Sequence, residues 1–182
     1  MKKESVRLLK LTTTALLIAI GILIPMTFPR VIIGPASFTL ASHVVIFIGM
    51  WISPKVAISV AVGTTVGFFM AGFPLVIVMR AFSHIGWVVL GSIYLTQVKK
   101  QAMGLSHRVS FSLVIGMIHG ILEFFMVMLF FFGTNFPEDF DVMWFVWFVG
   151  VGTMIHSLVD LELAHVVLRR LFKIGKAQAL FE

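Results

Sequence analysis

Residues 74–95 read PLVIVMRAFSHIGWVVLGSIYL, a run opened by Pro74 and broken only by Arg80, His84 and two serines. A helix needs roughly 20 mostly apolar residues to cross the ~30 Å hydrocarbon core of a bilayer. The run is therefore read as a membrane span that carries a permanent cation, and the rest of the chain is read outward from it. The composition agrees: 59% of the 182 residues are hydrophobic, 12% are charged, and the mean hydropathy is +1.06. Ordinary soluble domains stand near half apolar and a quarter charged. The sequence has no cysteine, which excludes disulfides, thiolate zinc sites and cysteine nucleophiles.

Five further spans flank this one, at about 9–27, 38–52, 54–71, 109–132 and 143–171. The second is short and the third follows almost without a loop, so five spans are the competing count. Pro54, Gly72 and Pro74 punctuate the pattern where helices should stop. Spans fill nearly the whole chain, so 1–182 reads as a single six-helix transmembrane domain of the all-α membrane class.

The cations orient it. Twelve of the 14 Lys and Arg fall in four places: Lys2, Lys3, Arg7 and Lys10; Lys55; Lys99, Lys100 and Arg108; and Arg169, Arg170, Lys173 and Lys176. With six spans these share one face, and the positive-inside rule makes the N- and C-termini cytoplasmic. Arg30, Glu138, Asp139 and Asp141 lie on the other face. The excess of +6 is thus read as topology suited to an anionic inner leaflet rather than as a nucleic-acid footprint. A cleaved signal peptide is disfavoured, because Pro25, Pro29 and Arg30 follow the first apolar run instead of a small-residue cleavage pattern.

Ionisable groups inside spans are costly and default to functional readings. His43, Arg80, His84, His119, Glu123, His156 and Asp160 are the set. A helical rise of about 1.5 Å per residue puts Arg80 about 9 Å below the outer edge, with His84 one turn deeper on the same face. His119 falls mid-membrane and Glu123 one turn further out. His43 falls in the outer third and Asp160 near the inner face. Arg80, His84, His43, His119 and Glu123 are expected to converge in the outer half. The bland account is that Arg80 pairs with Glu123. The functional account is an outward pocket whose ligand carries a carboxylate, which matches the planar guanidinium fork. His156 and Asp160 are read as interhelical hydrogen-bonding residues.

His119 with Glu123 and His156 with Asp160 each offer two metal ligands one turn apart, short of the three or four that a site wants. No serine elbow, phosphate loop or kinase motif is present. An intramembrane metal-dependent enzyme stays as the reading from a different class. Small-residue ridges occur at Ala15 and Ala19, at Gly63 and Gly67, and at Gly116 and Gly120, and such ridges let helices approach closely in lipid. Trp51, Trp87, Trp144 and Trp147 suit interface or pocket-lining positions. The stretches 30–39 and 134–141 are candidate lids over a pocket.

The stretches 16–25, 34–43 (GPASFTLASH), 52–54 (ISP), 63–68 (GTTVGF), 72–75 (GFPL) and 80–84 (RAFSH), together with the Ala15-x-x-x-Ala19 motif, resemble the substrate-binding S components of energy-coupling factor vitamin transporters, pantothenate and niacin members in particular. The resemblance covers roughly residues 10–95, and the remainder matches by topology. It implies a subunit that captures a vitamin outside, docks on a membrane coupling subunit and topples to release it. Two partner ATPase subunits hold the ATP and Mg, so this chain needs no cofactor of its own and no nucleic acid. It also implies that Ala15 and Ala19 form the docking ridge. A cationic pocket favours a carboxylate vitamin: pantothenate first, with Ser83, Thr65, Asn135 and Trp144 as further pocket residues, and niacin as the alternative.

Overall fold

The computed structural model describes residues 3–33, 36–98, 103–136 and 141–181. The expected lid residues 137–140 and the cations Lys2, Lys99 and Lys100 lie outside them, as do Gly34 and Pro35. The chain is predominantly helical. Helix α1 spans Lys3–Thr27 and leads into a two-stranded antiparallel hairpin, β1 (Arg30–Ile33) and β2 (Ala36–Thr39), paired from Arg30 with Thr39 to Ile33 with Ala36. Then come α2 (Val44–Ile52), α3 (Pro54–Met70), α4 (Leu75–Gln97) and α5 (Leu105–Gly133). The last rod is α6 (Val142–Phe145), a π-helical stretch at Val146–Val151 and α7 (Gly152–Leu171), with a short α8 (Gly175–Gln178) beyond it.

Among the described residues, four helices are long and apolar enough to cross a membrane: Glu4–Thr27, Leu75–Gln97, Leu105–Gly133 and Val142–Leu171. Helix α3 has 17 residues. Helix α2 departs most from expectation. It has nine residues, all buried, and is therefore about 14 Å long, half a bilayer core. Residues 38–43, expected to be helical, instead form the end of β2 and a turn in which Ala41 takes a left-handed φ of 69°. The chain is thus not purely helical, and the described residues of the expected lid, 30–33 and 36–39, are paired β-strands.

Helix boundaries follow local chemistry. Ser53 separates α2 from α3 in an extended conformation (φ −170°, ψ 160°), and its hydroxyl accepts from the Val56 amide at 3.3 Å. Pro54 follows at the first helical position, where its missing N–H leaves nothing unsatisfied. Gly72 turns the chain at φ 75°, and the Asp141 carboxylate accepts from the Met143 amide at 2.8 Å to open the last rod. That rod ends on Arg169 and Arg170, cations that suit a helix C-terminus.

Helix α2 is the centre of the bundle. Phe47, Met50 and Trp51 pack with Ala57, Val60, Trp87, Val88, Leu161 and Leu168. Trp51, expected at a membrane interface, is 1% exposed and meets Phe111 edge-on at 6.1 Å. The two glycine ridges are filled internally. A Cβ on Gly63 or Gly67 would strike Ile18 or Ile22 of α1, and one on Gly120 would lie 2.4 Å from the Gly150 carbonyl oxygen. Large apolar side chains are exposed along the helices, Leu8, Leu16, Phe69, Phe125 and Trp147 among them, as a lipid-facing surface should have. Ala15 and Ala19 are exposed on α1.

Candidate functional site

Arg80, from the first third of α4, is buried and reaches α5. Its Nε and Nη2 donate to Oε2 of Glu123 at 3.1 and 2.9 Å. Nη2 also donates to the carbonyl of Ser37 on β2 at 3.3 Å, and the guanidinium carbon sits 5.8 Å from the Phe38 ring centre. The permanent cation thus ties the hairpin to the bundle. Thr153 of α7 donates its hydroxyl to the same Oε2 at 2.6 Å. Oε1 faces the other way: His84 Nε2 and His119 Nε2 each lie 3.3 Å from it. A charge pair taken out of water is tolerated when its remaining lone pairs find donors, and this one is so provided.

One layer away is a second carboxylate. Asp160 of α7, 0% exposed, accepts from the Ala41 amide at 2.8 Å through Oδ1 and from the His43 amide at 2.9 Å through Oδ2. The His43 ring Nδ1 lies 3.1 Å from Oδ2, and His156 Nε2 lies 3.4 Å from it. Ser42 bridges to His156 Nε2 at 3.1 Å. Between the carboxylates the imidazoles crowd together: His43 has ring centres of His84, His119 and His156 at 4.8, 4.7 and 4.9 Å.

Depth counting from the sequence separated His43 from Asp160, and the structure puts them in contact. The reason is the hairpin. Helix α2 starts deep in the bundle, so His43 lies about 14 Å from the α2 C-terminus, and Asp160 about 16 Å from the end of α7. His156 and Asp160, expected to hydrogen-bond between helices, bond instead to Ala41, Ser42 and His43 in the turn before α2.

Above these layers is a cavity of about 60 Å³ lined by Arg80, His84, His43, Glu123 and His156, with Arg30, Ser37, Thr39 and Ser42 from the hairpin and turn. Gly21, Pro25, Ile46, Thr64, Phe68, Phe73, Ile77 and Ala81 complete it. Of the residues expected in the pocket, Arg80, His84, His43 and Glu123 line it, and His119 joins the cluster without lining it. Four others do not reach it. Ser83 donates to the Arg80 carbonyl at 2.6 Å, and Thr65 to the Ala61 carbonyl at 2.8 Å, while its neighbour Thr64 faces the cavity. Asn135 is exposed beyond α5, and Trp144 packs on Phe148 with ring centres 4.6 Å apart. Sequence reasoning missed Ser37, Ser42 and Thr153, small hydroxyl residues whose only signal was polarity in an apolar setting.

The niacin transporter NiaX of Lactococcus lactis subsp. cremoris (strain MG1363) is 38% identical over 169 residues, covering 90% of this chain and 73% of NiaX. The chain belongs to the S-component family of energy-coupling factor vitamin transporters. No family model and no solved structure matches it. This S component is accordingly a multi-pass bacterial membrane protein, and a transport subunit rather than an enzyme. In it, Arg80 lines the cavity, held by a carboxylate on a neighbouring helix.

Proposed function

We propose that this S component captures niacin in its carboxylate form, with Arg80 as the anion-binding group. The observation that carries the reading is the buried guanidinium on the cavity wall, facing Glu123. A carboxylate entering the cavity competes with Glu123 for the same planar fork. The pyridine ring then lies among His43, His84, Phe68 and Phe73. The sequence alone favoured pantothenate. Niacin is the better supported substrate, by the name of the relative. The niacin ring nitrogen has imidazoles and the hydroxyls of Ser42, Thr39 and Thr64 as neighbours.

The test is calorimetric titration of the purified subunit with nicotinate, nicotinamide and pantothenate. Nicotinate binds, and nicotinamide, lacking the charge, binds at least ~100-fold more weakly, a 2.7 kcal/mol difference of the size expected for a charged hydrogen bond. Arg80→Ala abolishes nicotinate binding. The double variant Arg80→Ala/Glu123→Gln, which leaves no unpaired charge, stays folded and still fails to bind. Nicotinate binding by that double variant would overturn the reading.

Delivery in this reading follows the family's mode. Both termini are cytoplasmic, and the cavity opens to the exterior. The exposed Ala15 and Ala19 form the ridge that docks on the membrane coupling subunit. Two partner ATPase subunits hold ATP and Mg and drive the toppling that releases niacin inside. Ala15→Trp or Ala19→Trp fills the ridge, so cellular niacin uptake is lost while the isolated subunit binds nicotinate as before. Uptake at the wild-type rate would remove the docking assignment.

A further inference from the structure

At the wall of the cavity, His43 from the turn before α2, His84 from α4, and His119 and Glu123 from α5 converge, with one ligand-capable atom from each inside a 4.8 Å cluster. All four side chains are buried. His119 is 0% exposed and neither of its ring nitrogens has a hydrogen-bond partner, although Nε2 lies 3.3 Å from Glu123 Oε1. An imidazole buried without a partner is a costly arrangement that normally has a reason.

We propose that these four residues form a binding site for a divalent transition-metal ion of the zinc class. Three imidazoles and one carboxylate are the donor set that such ions take in tetrahedral sites. Metal–ligand bonds of 2.0–2.2 Å give ligand-to-ligand edges of about 3.3–3.5 Å. The edges from Glu123 Oε1 to His84 Nε2 and to His119 Nε2 are both 3.3 Å, so two of the six edges of the tetrahedron already have that spacing.

The surroundings orient the ligands. Asp160 accepts two backbone N–H groups, so it faces the His43 ring as an acceptor, and Nδ1 must be the donor to it. That fixes the tautomer and leaves the lone pair on His43 Nε2, as in carboxylate–histidine–metal triads. Glu123 divides its oxygens in the same sense. Oε2 is saturated by Arg80 and Thr153, and Oε1 is turned to the imidazoles. The ion satisfies His119 and ties the turn before α2 to α4 and α5 at the wall of the vitamin cavity. The assignment does not depend on which vitamin binds.

The full chain, purified in detergent with a tag free of histidine and stripped with EDTA, is titrated with Co²⁺ and then Zn²⁺. The wild type takes up one ion per chain, Co²⁺ develops the visible absorption of tetrahedral nitrogen–oxygen coordination, and Zn²⁺ bleaches it. His119→Ala loses the band. Asp160→Asn weakens Zn²⁺ by roughly 10–100-fold, as loss of an orienting partner does. The wild-type spectrum needs no variant to fold, so absence of the band with less than stoichiometric uptake overturns the site. An unchanged band in His119→Ala overturns it equally. Nicotinate titration of the stripped protein reports on the vitamin cavity, whose wall shares His43, His84 and Glu123 with the ion.

Discussion

Glu123 and Asp160 are, among the described residues, the acidic side chains buried in the bundle, at 2% and 0% exposure. They meet the same problem in opposite ways. Glu123 is neutralised by side chains: the Arg80 guanidinium and the Thr153 hydroxyl on Oε2, with two imidazoles near Oε1. Asp160 is held by backbone, accepting the Ala41 and His43 amides where the chain turns into α2. The positive end of a helix is a natural place for such a carboxylate. Partners on side chains can be exchanged for a ligand without refolding anything. Partners on backbone cannot be released without undoing the turn. Glu123 lines the cavity and Asp160 does not, which fits that division.

The comparison breaks most sharply at Glu123. Glu123→Ala strands Arg80 in an apolar setting, and removing one partner of a buried pair costs about 3–5 kcal/mol. Chemical denaturation in detergent should register that loss. Removing Arg80 as well should recover at least half of it, because the stranded charge goes with it. A double variant as unstable as the single would mean that the pair is not the unit holding these helices. Next in size is Asp160→Asn. It retains one acceptor and loses the charge, so about 1–3 kcal/mol of stability is expected to go. Nicotinate affinity should change by less than about tenfold, or ~1.4 kcal/mol. Loss of nicotinate binding in a variant that still unfolds cooperatively would show that the two carboxylates do not divide their roles.

How much of this could be read from the sequence depends on which elements carried the geometry. Arg80 and His84 stand one turn apart on a long, uninterrupted apolar helix, as do His119 and Glu123. Rise and periodicity therefore sufficed to bring them together. The error at His43 came from a different place. Residues 38–43 contain Phe38, Leu40 and Ala41 and read as the start of a span, yet Thr39 and Ser42 sit on a ribbon and a turn. Nothing in composition reveals that an alanine will take a left-handed conformation, because the cause lies 119 residues away in Asp160. Pocket polarity was misread for a similar reason. Ser83 and Thr65 are polar residues on pocket helices, but their hydroxyls return to their own backbone, which a helical wheel cannot distinguish from facing a ligand.

Ala41 offers the finest probe of the same contrast. Its φ of 69° carries a Cβ penalty of about 1–2 kcal/mol, which glycine does not have. Glycine in turn gives the unfolded chain more freedom, by roughly 0.4–1 kcal/mol. The difference is a net gain of about 0.5 kcal/mol for Ala41→Gly, visible as a small rise in melting temperature. The gain should be larger in an Asp160→Asn background, where the carboxylate that holds the turn has lost its charge and the backbone preference of residue 41 carries more of the load. It should be the same with or without Arg80, since the Glu123 region does not bear on that turn. A destabilising Ala41→Gly, or a gain that follows Arg80 rather than Asp160, would mean that the turn is set by the cavity layer and not by the carboxylate beneath it.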